Sequence, residues 1–239
     1  MKFISMYFLF FLGNHLIAKN YQIGDTLNVF ARGGLNLRDA PRLNGEKILN
    51  LKYSEKVVVL NHFNFDKYLD TIEARPGNWI FIKTILGIEG FLFDGYLSSL
   101  PPPKITEGVV TYFNSNYKTK SCEIEYLTPY IDEKEATSCE ITQFDNGQIT
   151  FIKRGGYESW SYCIIFKERR FAELISLVEL FYEEGGNLSL HEGWNFSEIL
   201  KKAAKKNSNV LVLKTKDGNL IITIKNGFKE KSIEISETY

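Results

Sequence analysis

The chain has few of the side chains that most catalytic and metal sites need. It contains three cysteines and three histidines in 239 residues. It has no H-E-x-x-H or C-x-x-C sequence, which would place zinc ligands at metal-binding spacing. The G-x-G-x-x-G and P-loop patterns that hold phosphates are missing too. We therefore predict no metal site, no cofactor and a protein that is not an enzyme.

The chain also lacks an excess of charge of either sign, with 29 basic and 29 acidic residues. This balance argues against a dedicated nucleic-acid binder, which needs a positive surface to neutralise phosphates. It also argues against attraction to a charged membrane surface. The hydrophobic fraction of 44% and the charged fraction of 24% are those of an ordinary globular protein.

Long hydrophobic runs are missing except at the start of the chain. There Lys2 precedes an apolar run from Phe3 to Leu12, and Gly13 and Ala18 follow it. This order is typical of a secretory signal peptide over residues 1–18. The run is shorter than the roughly 20 residues that span a bilayer. We expect cleavage of the signal, no stable membrane insertion after it, and an exported protein in the periplasm or the extracellular space; an uncleaved anchor is the alternative.

The three cysteines, Cys122, Cys139 and Cys163, allow at most one disulfide in an exported chain. Cys122 with Cys139 is the favoured pair, because "CEIEYL" and "SCEITQF" read as neighbouring antiparallel strands. A bond closing a loop of that length would stabilise the fold by about 3 kcal/mol. The alternative is that all three are small buried apolar residues.

Proline is scarce, yet three of the six prolines are consecutive in "SSLPPPKITEG", residues 98–108. Consecutive prolines donate no ladder hydrogen bonds and hold the chain extended. We predict a proline-rich linker over residues 100–107. It would separate a first domain at 25–99 from a second at 108–239.

The part before the linker reads almost wholly as short strands with Gly, Pro and Asn between them. This pattern predicts an all-β small barrel. In "GGLNLRDAPRLNGEKIL", Leu35 and Leu37 are expected to point into the barrel and Asn36 to point out. Pro41 ends that strand, and Asn44-Gly45 turns the chain back, so residues 38–46 form a long loop. The strand segments are "TLNVFA", "LNL", "KVVVLNHF", "NWIFIKT" and "GIEGFLFDGYL".

Four blocks of this part, in order, resemble the bacterial SH3 domain, called SH3b. They are "GLNLRDAP" at 34–41, "SEKVVVL" at 54–60, "GNWIFI" at 77–82 and "GFLFDGYL" at 90–97. They are similar to the family's G-L-N-V-R, G-x-x-V-x-V-L, G-x-W-x-K-V and G-[WY]-V-x-x-x-Y-L patterns. The chain departs from the family in a longer segment before Trp79, and in Ser54, which replaces a usual glycine.

The resemblance implies an SH3-like barrel that serves as a non-catalytic binding or adaptor module of an exported protein. Its ligand would be a cell-wall peptide of peptidoglycan or another exported protein. A groove would lie between the 38–46 loop and the inserted segment 61–78. The candidate ligand-binding residues are Arg38, Asp39, Phe63, Phe65, Tyr68, Trp79 and Tyr96.

Each of these residues also has a structural interpretation. In that interpretation the aromatic residues of the insertion only cover the barrel end, and Trp79 is an ordinary residue of the barrel core. Arg38 would then stabilise its own loop through Asp39 or backbone carbonyls. The residues alone do not decide between these interpretations and ligand binding.

The second part resembles no family known to us. "VVTYFNS", "SCEIEYL", "SCEITQF", "QITFIKR" and "YESWSYCIIF" read as strands, and "RRFAELISLVELFYEEGG" has the apolar spacing of a buried helix. "SEILKKAAKK" predicts a second helix with Ser197 as its N-cap. A hairpin turning at Asp217-Gly218 follows, and "KSIEISE" is expected to be a last edge strand. The order predicts an α+β domain with an antiparallel sheet and two helices.

The alternative function is a cell-wall hydrolase that uses the SH3b domain for targeting. After the linker, only Cys163 and His191 could supply a cysteine nucleophile and its base. Cys163 lies in "SYCIIF", which reads as a strand and not as the helix N-terminus that would stabilise a thiolate. The D-C-S-G sequence usual in wall peptidases is absent, so the binding protein is favoured.

Overall fold

The described residues form mainly antiparallel strands in two sheets, together with two α-helices. The structure is a computed structural model, which describes residues 21–61, 68–73, 75–104, 107–126, 138–155, 159–182, 210–214, 220–227 and 230–238. The predicted signal peptide at 1–18 lies outside these residues. No helix among the described residues is long and apolar enough to cross a membrane.

The first sheet has eight strands. They are β1 Thr26–Val29, β2 Leu35–Arg38, β3 Lys47–Leu51, β4 Lys56–Asn61, β5 Leu69–Ile72, β6 Arg75–Thr84, β7 Glu89–Phe93 and β8 Leu97–Ser98. They are hydrogen-bonded in the order β3-β2-β7-β6-β4-β1-β8, and β5 pairs with β6. Each of the five predicted strand segments contains a strand, although His62 and Phe63 of "KVVVLNHF" lie outside the described residues; a short 3-10 helix at Asp94–Tyr96 precedes β8.

The core against this sheet is formed by apolar side chains, because alternate residues of each strand face the same side. Leu27, Val57, Leu37 and Ile82 are fully buried, and Leu35 packs against them while partly exposed. The pairing order is open, with β3 and β8 at its ends. The structure thus shows an antiparallel sheet around an apolar core, and the closed SH3-like barrel stays a prediction.

The second sheet has seven strands, in the order β13-β14-β15-β12-β11-β10-β9. They are β9 Thr119–Tyr126, β10 Ser138–Phe144, β11 Ile149–Gly155, β12 Ser159–Lys167, β13 Val210–Lys214, β14 Leu220–Asn226 and β15 Glu230–Thr238. The prediction that "KSIEISE" forms an edge strand was wrong. Strand β15 pairs with both β12 and β14, because Ile233 and Ile235 are buried in the middle of the core.

The first helix, α1 Val109–Asn116, replaces a predicted strand. Its sequence "VVTYFNSN" contains β-branched and aromatic residues, which favoured a strand. The residues that it buries are Val109, Tyr112 and Phe113, whose spacing of three and four is that of one helix face. Tertiary burial of this face therefore outweighs the local strand preference.

The second helix, α2 Phe171–Tyr182, confirms the helix predicted over this segment. It is buried along nearly its whole length. Leu174, Ile175 and Val178 pack into the core of the second sheet. The other predicted helix, "SEILKKAAKK", lies outside the described residues.

The predicted disulfide between Cys122 and Cys139 does not form. Strands β9 and β10 are antiparallel neighbours, as expected, but Cys122 lies opposite Thr142 and Cys139 lies opposite Glu125. Since side chains alternate between the two faces of a sheet, this register puts the two thiols on opposite faces. Cys122, Cys139 and Cys163 are all free thiols.

Candidate functional site

A polar stripe on α2 faces the first sheet. Glu173, Ser176 and Glu179 recur every third residue and therefore lie on one side of the helix. Ser98 donates a 2.7 Å hydrogen bond to Glu173. Arg75 donates one of 2.7 Å to Ser176 and forms an ion pair with Glu179. This stripe joins the two parts of the chain through charged hydrogen bonds.

Arg170, just before α2, extends this contact. Its guanidinium donates a 2.7 Å hydrogen bond to the Asp94 carboxylate and lies 4.8 Å from the centre of the Tyr21 ring. Burial alone would lower the pKa of Arg170, but the charge of Asp94 raises it overall. Asp94 also accepts a 2.7 Å bond from the backbone N–H of Asn78. Asp94 is thus held by residues from both parts of the chain. We call this contact, between Arg170 with the α2 stripe and Arg75, Asp94 and Ser98 of the first part, the polar seam.

A groove of about 350 Å³ opens where the first sheet meets α2. We call it the aromatic groove. It is lined by Phe30, Ala31, Arg32, Gly33, Gly34, Leu35, Asn36, Arg38, Leu43, Ile72, Glu73, Trp79, Phe93, Tyr96 and Glu179. Its lining comes mainly from residues 30–36, in the β1–β2 loop and β2, and also includes Ile72 and Glu73 of the β5–β6 hairpin. The groove predicted between the 38–46 loop and segment 61–78 shares Arg38, Leu43, Ile72 and Glu73 with it.

The aromatic side chains of the groove hold one another in place. The Trp79 and Phe93 rings have centroids 5.8 Å apart, and those of Phe93 and Tyr96 are 6.2 Å apart. Trp79 is only 4% exposed, and its indole N–H donates a 3.0 Å hydrogen bond to Asp70. Trp79 is therefore both a core residue and part of the groove wall.

Tyr96 connects the groove to the seam. The Arg75 guanidinium lies 4.5 Å from the centre of its ring, and its hydroxyl donates a hydrogen bond to Glu73. Burial raises the pKa of Tyr96 above its ordinary value, although the charge of Arg75 partly opposes this rise. At neutral pH the hydroxyl therefore stays protonated and acts as a donor.

The two arginines of the groove are anchored at one nitrogen each. Arg38 donates a 2.7 Å hydrogen bond to the Gly45 carbonyl across its own loop. Arg32 donates to the Leu180 carbonyl in the last turn of α2. These bonds fix the positions of both guanidinium groups, and both groups also line the groove.

The structure brings three of the predicted site residues together, Arg38, Trp79 and Tyr96. Asp39 does not line the groove; its carboxylate accepts a 2.7 Å bond from the Glu46 backbone N–H, which shapes the loop. Tyr68 holds the β5–β6 hairpin through its carbonyl, which accepts from the Trp79 backbone N–H at 3.1 Å. Phe63 and Phe65 lie outside the described residues.

Sequence reasoning missed Arg32, Glu73 and Glu179. The i, i+3, i+6 recurrence of Glu173, Ser176 and Glu179 within an otherwise apolar helix was a readable signal of a polar contact. Nothing local to Arg32 or Glu73 marks either as a groove residue, because their neighbours come from distant parts of the chain.

Of the two candidate hydrolase residues, the structure describes Cys163. Burial raises the pKa of the Cys163 thiol, which disfavours the thiolate that a nucleophile needs. His191 lies outside the described residues. Among the residues that the structure describes, no group of three or more His, Cys, Asp or Glu side chains could hold a metal ion.

Comparison with known proteins gives no relative of this chain: no protein-family model, no curated protein and no solved structure matches it.

Proposed function

We propose that this chain is an exported, non-catalytic binding protein whose aromatic groove binds a cell-wall peptide or a segment of another exported protein. One observation carries the proposal. The groove is lined by the aromatic side chains of Trp79, Phe93 and Tyr96 together with charged side chains of both signs, Arg32, Arg38, Glu73 and Glu179. Loops held by rigid strands are common positions for binding sites, and concave aromatic surfaces with a few polar groups are typical of them.

The chemistry of the groove favours a peptide over a sugar or a nucleotide. Its aromatic faces offer contact to apolar side chains and to planar amide groups. The groove also carries both signs of charge, with Arg32 and Arg38 for a carboxylate and Glu73 and Glu179 for an amine. A short peptide presents all of these groups at once.

The proposed identity of residues 25–99 as an SH3b domain is consistent with the strand positions. The "GLNLR" block lies on β2, the "KVVVL" block on β4 and the "NWIFI" block on β6. Ser54, where the family has glycine, has a φ of 70°. That is the left-handed region in which glycine is the usual residue. A glycine, as in the family pattern, would adopt this backbone conformation with less strain than Ser54 does.

Co-sedimentation of the purified protein with peptidoglycan sacculi tests the wall-binding form of the proposal. Leu43 lines the groove and is 57% exposed, whereas Leu86, in the β6–β7 turn, is 87% exposed and outside the groove. Leu43→Ser should reduce retention several-fold, and the matched control Leu86→Ser should not. Equal loss or equal retention in the two variants would place the wall contact elsewhere.

The protein-binding form predicts no retention on sacculi but a complex with an exported protein that shows the same Leu43-specific loss. In both forms the protein should not cleave muropeptides. Turnover that disappears in Cys163→Ala would overturn the proposal and favour the hydrolase.

A further inference from the structure

The first sheet splits open beside the groove. Strand β2 pairs with β3 at each of its four residues. On its other edge, among the described residues, it pairs with β7 only where Arg38 lies opposite Phe91. From Gly33 to Leu37 that edge has no neighbouring strand in the described part, and Gly33, Gly34, Leu35 and Asn36 line the groove.

The direction of the backbone groups along this edge follows from contacts at its end. The Asp39 N–H donates to the Glu46 carbonyl, on the β3 side. The Arg38 carbonyl lies 2.8 Å from where a Cβ would stand on Gly90 and therefore points towards β7. The β2–β3 register shifts between Leu37, opposite Leu49, and Arg38, opposite Lys47, so the extra residue lies on β3 and not on β2. Since the hydrogen-bonding groups of successive residues alternate between the two edges of a strand, Asn36 directs its N–H and C=O to the same side as Arg38. That side is the groove.

The surface across the split suits the side chains of an added strand. Phe93, Tyr96 and Trp79 line the groove together with β2, and Ile72 and Glu73 also belong to its lining. Alternate residues of a strand on the β2 edge would place their side chains against this aromatic surface. Recognition by strand addition combines these two elements, backbone hydrogen bonds for affinity and a surface for every second side chain.

Resting on the proposed function, we propose that the ligand of the aromatic groove is an extended all-L segment of another exported protein, which adds to β2 as a strand and pairs with the backbone of Asn36. The edge geometry favours this ligand over a wall peptide. Stem peptides of peptidoglycan contain D-residues, whose side chains do not follow the pleat of an all-L strand. Their backbone would therefore not continue the ladder in register.

The test uses a library of random all-L heptapeptides, from which the purified protein selects its best binder. The binder is then remade with single backbone N-methyl groups at successive positions. Strand addition predicts an alternating result. Methylation of the N–H groups that face β2 should weaken binding about tenfold or more, because each removes a backbone hydrogen bond, and methylation of those facing away should be tolerated.

Amide hydrogen exchange of the protein gives a second readout. When the selected peptide binds, the Asn36 N–H should become protected, whereas the Leu35 and Leu37 N–H groups, which face β3, should change little. Leu43→Ser should weaken this binding, and Leu86→Ser should not.

The outcomes separate this inference from the proposed function. Methylation sensitivity without alternation, or binding without protection of Asn36, overturns strand addition. Leu43-dependent binding of sacculi, with no selected heptapeptide, keeps the binding function and assigns the groove to a wall peptide instead. No Leu43-dependent binding of sacculi, heptapeptides or exported proteins overturns both.

Discussion

At the scale of single residues, the buried pair of Arg170 and Asp94 holds the two parts of the chain together. The side chains of both are less than a tenth exposed, and Asp94 also accepts from the Asn78 N–H. We expect Asp94→Ala to lower the free energy of unfolding by about 3 to 5 kcal/mol, because it leaves the Arg170 charge buried without its partner. Urea denaturation measures this change.

The exposed pair of Lys83 and Glu89 is the matched control. Its atoms are 3.4 Å apart, and its side chains are 47% and 45% exposed. Solvent screens such pairs, so Glu89→Gln should change the free energy of unfolding by less than about 1 kcal/mol. A similar loss of unfolding free energy in both variants would show that burial does not increase the contribution of the Arg170–Asp94 pair to stability.

Tyr21 predicts how stability depends on alkaline pH. It is buried, and burial, followed by the charge of Glu173, raises its pKa well above the ordinary value of 10.0. Above that pH the unfolded chain loses the phenol proton and the folded chain keeps it, so the free energy of unfolding must fall as pH rises. Below that pH this residue contributes no pH dependence.

We therefore expect Tyr21→Phe to make the decline above pH 10 shallower by up to about 1.4 kcal/mol per pH unit. Denaturant titrations of both proteins across this range give the two slopes. The variant has no phenol to donate to the Leu97 carbonyl, as Tyr21 does at 2.7 Å, so it should also be less stable at neutral pH. Equal slopes in the two proteins would show that Tyr21 does not contribute to the loss of stability at alkaline pH.

The site residues differ in how far the sequence could predict them. Arg38, Trp79 and Tyr96 lie in segments with a recognisable motif, and the structure places all three at the groove. Glu179 lines the groove and pairs with Arg75, 104 positions earlier. Without a motif on either residue, no local pattern links two such distant positions.

At the scale of elements, the polar face of α2 is what distinguishes it from an ordinary core helix. Ser176 accepts from Arg75 at 2.7 Å, and its hydroxyl donates to the Gly95 carbonyl at 3.2 Å. Ser176→Ala would leave both groups buried and unsatisfied. We expect a loss of about 1 to 3 kcal/mol in the free energy of unfolding, measured by thermal or urea denaturation.

Ser115 on α1 provides a control for helix propensity, because it is exposed in a helix. Ser115→Ala should leave stability the same or raise it by about 0.5 kcal/mol, since alanine is the better helix former. If Ser176→Ala behaved in the same way, the polar stripe would have no part in joining the sheets.

Elements with a strong local period were predictable, and those decided by long-range packing were not. The apolar spacing of α2 and the alternation of β6 specify helix and strand directly. The segment of α1 has β-branched and aromatic residues that favour a strand, and only burial of Tyr112 and Phe113 makes it helical. Local patterns also could not predict which strands pair. The central position of β15 in its sheet depends on contact with β12, more than 60 positions earlier.

At the scale of the whole molecule, the two sheets share buried surface as well as the polar seam. Phe30 and Leu100, from the first part of the chain, belong to the core of the second sheet. Tyr53 donates a 2.6 Å bond to the Pro103 carbonyl. These contacts attach the predicted linker to both parts instead of leaving it as a free spacer.

We therefore expect the two sheets to unfold together. In native-state hydrogen exchange, the core amides of β6 and β12 should share one opening free energy and one dependence on denaturant. Asp94→Ala should lower both equally. A first sheet that opens at a clearly lower free energy than the second would instead indicate two independent domains joined by the proline-rich segment.

The proposed function requires that this protein binds its ligand in the aromatic groove. Site-specific photo-crosslinking in the cells that make the protein tests it most directly, with benzoylphenylalanine placed at Leu43 in one variant and at Leu86 in the other. We expect a discrete adduct from position 43, whether to wall material or to an exported protein, and none from position 86. The same adducts from both positions, or none from position 43, would contradict it.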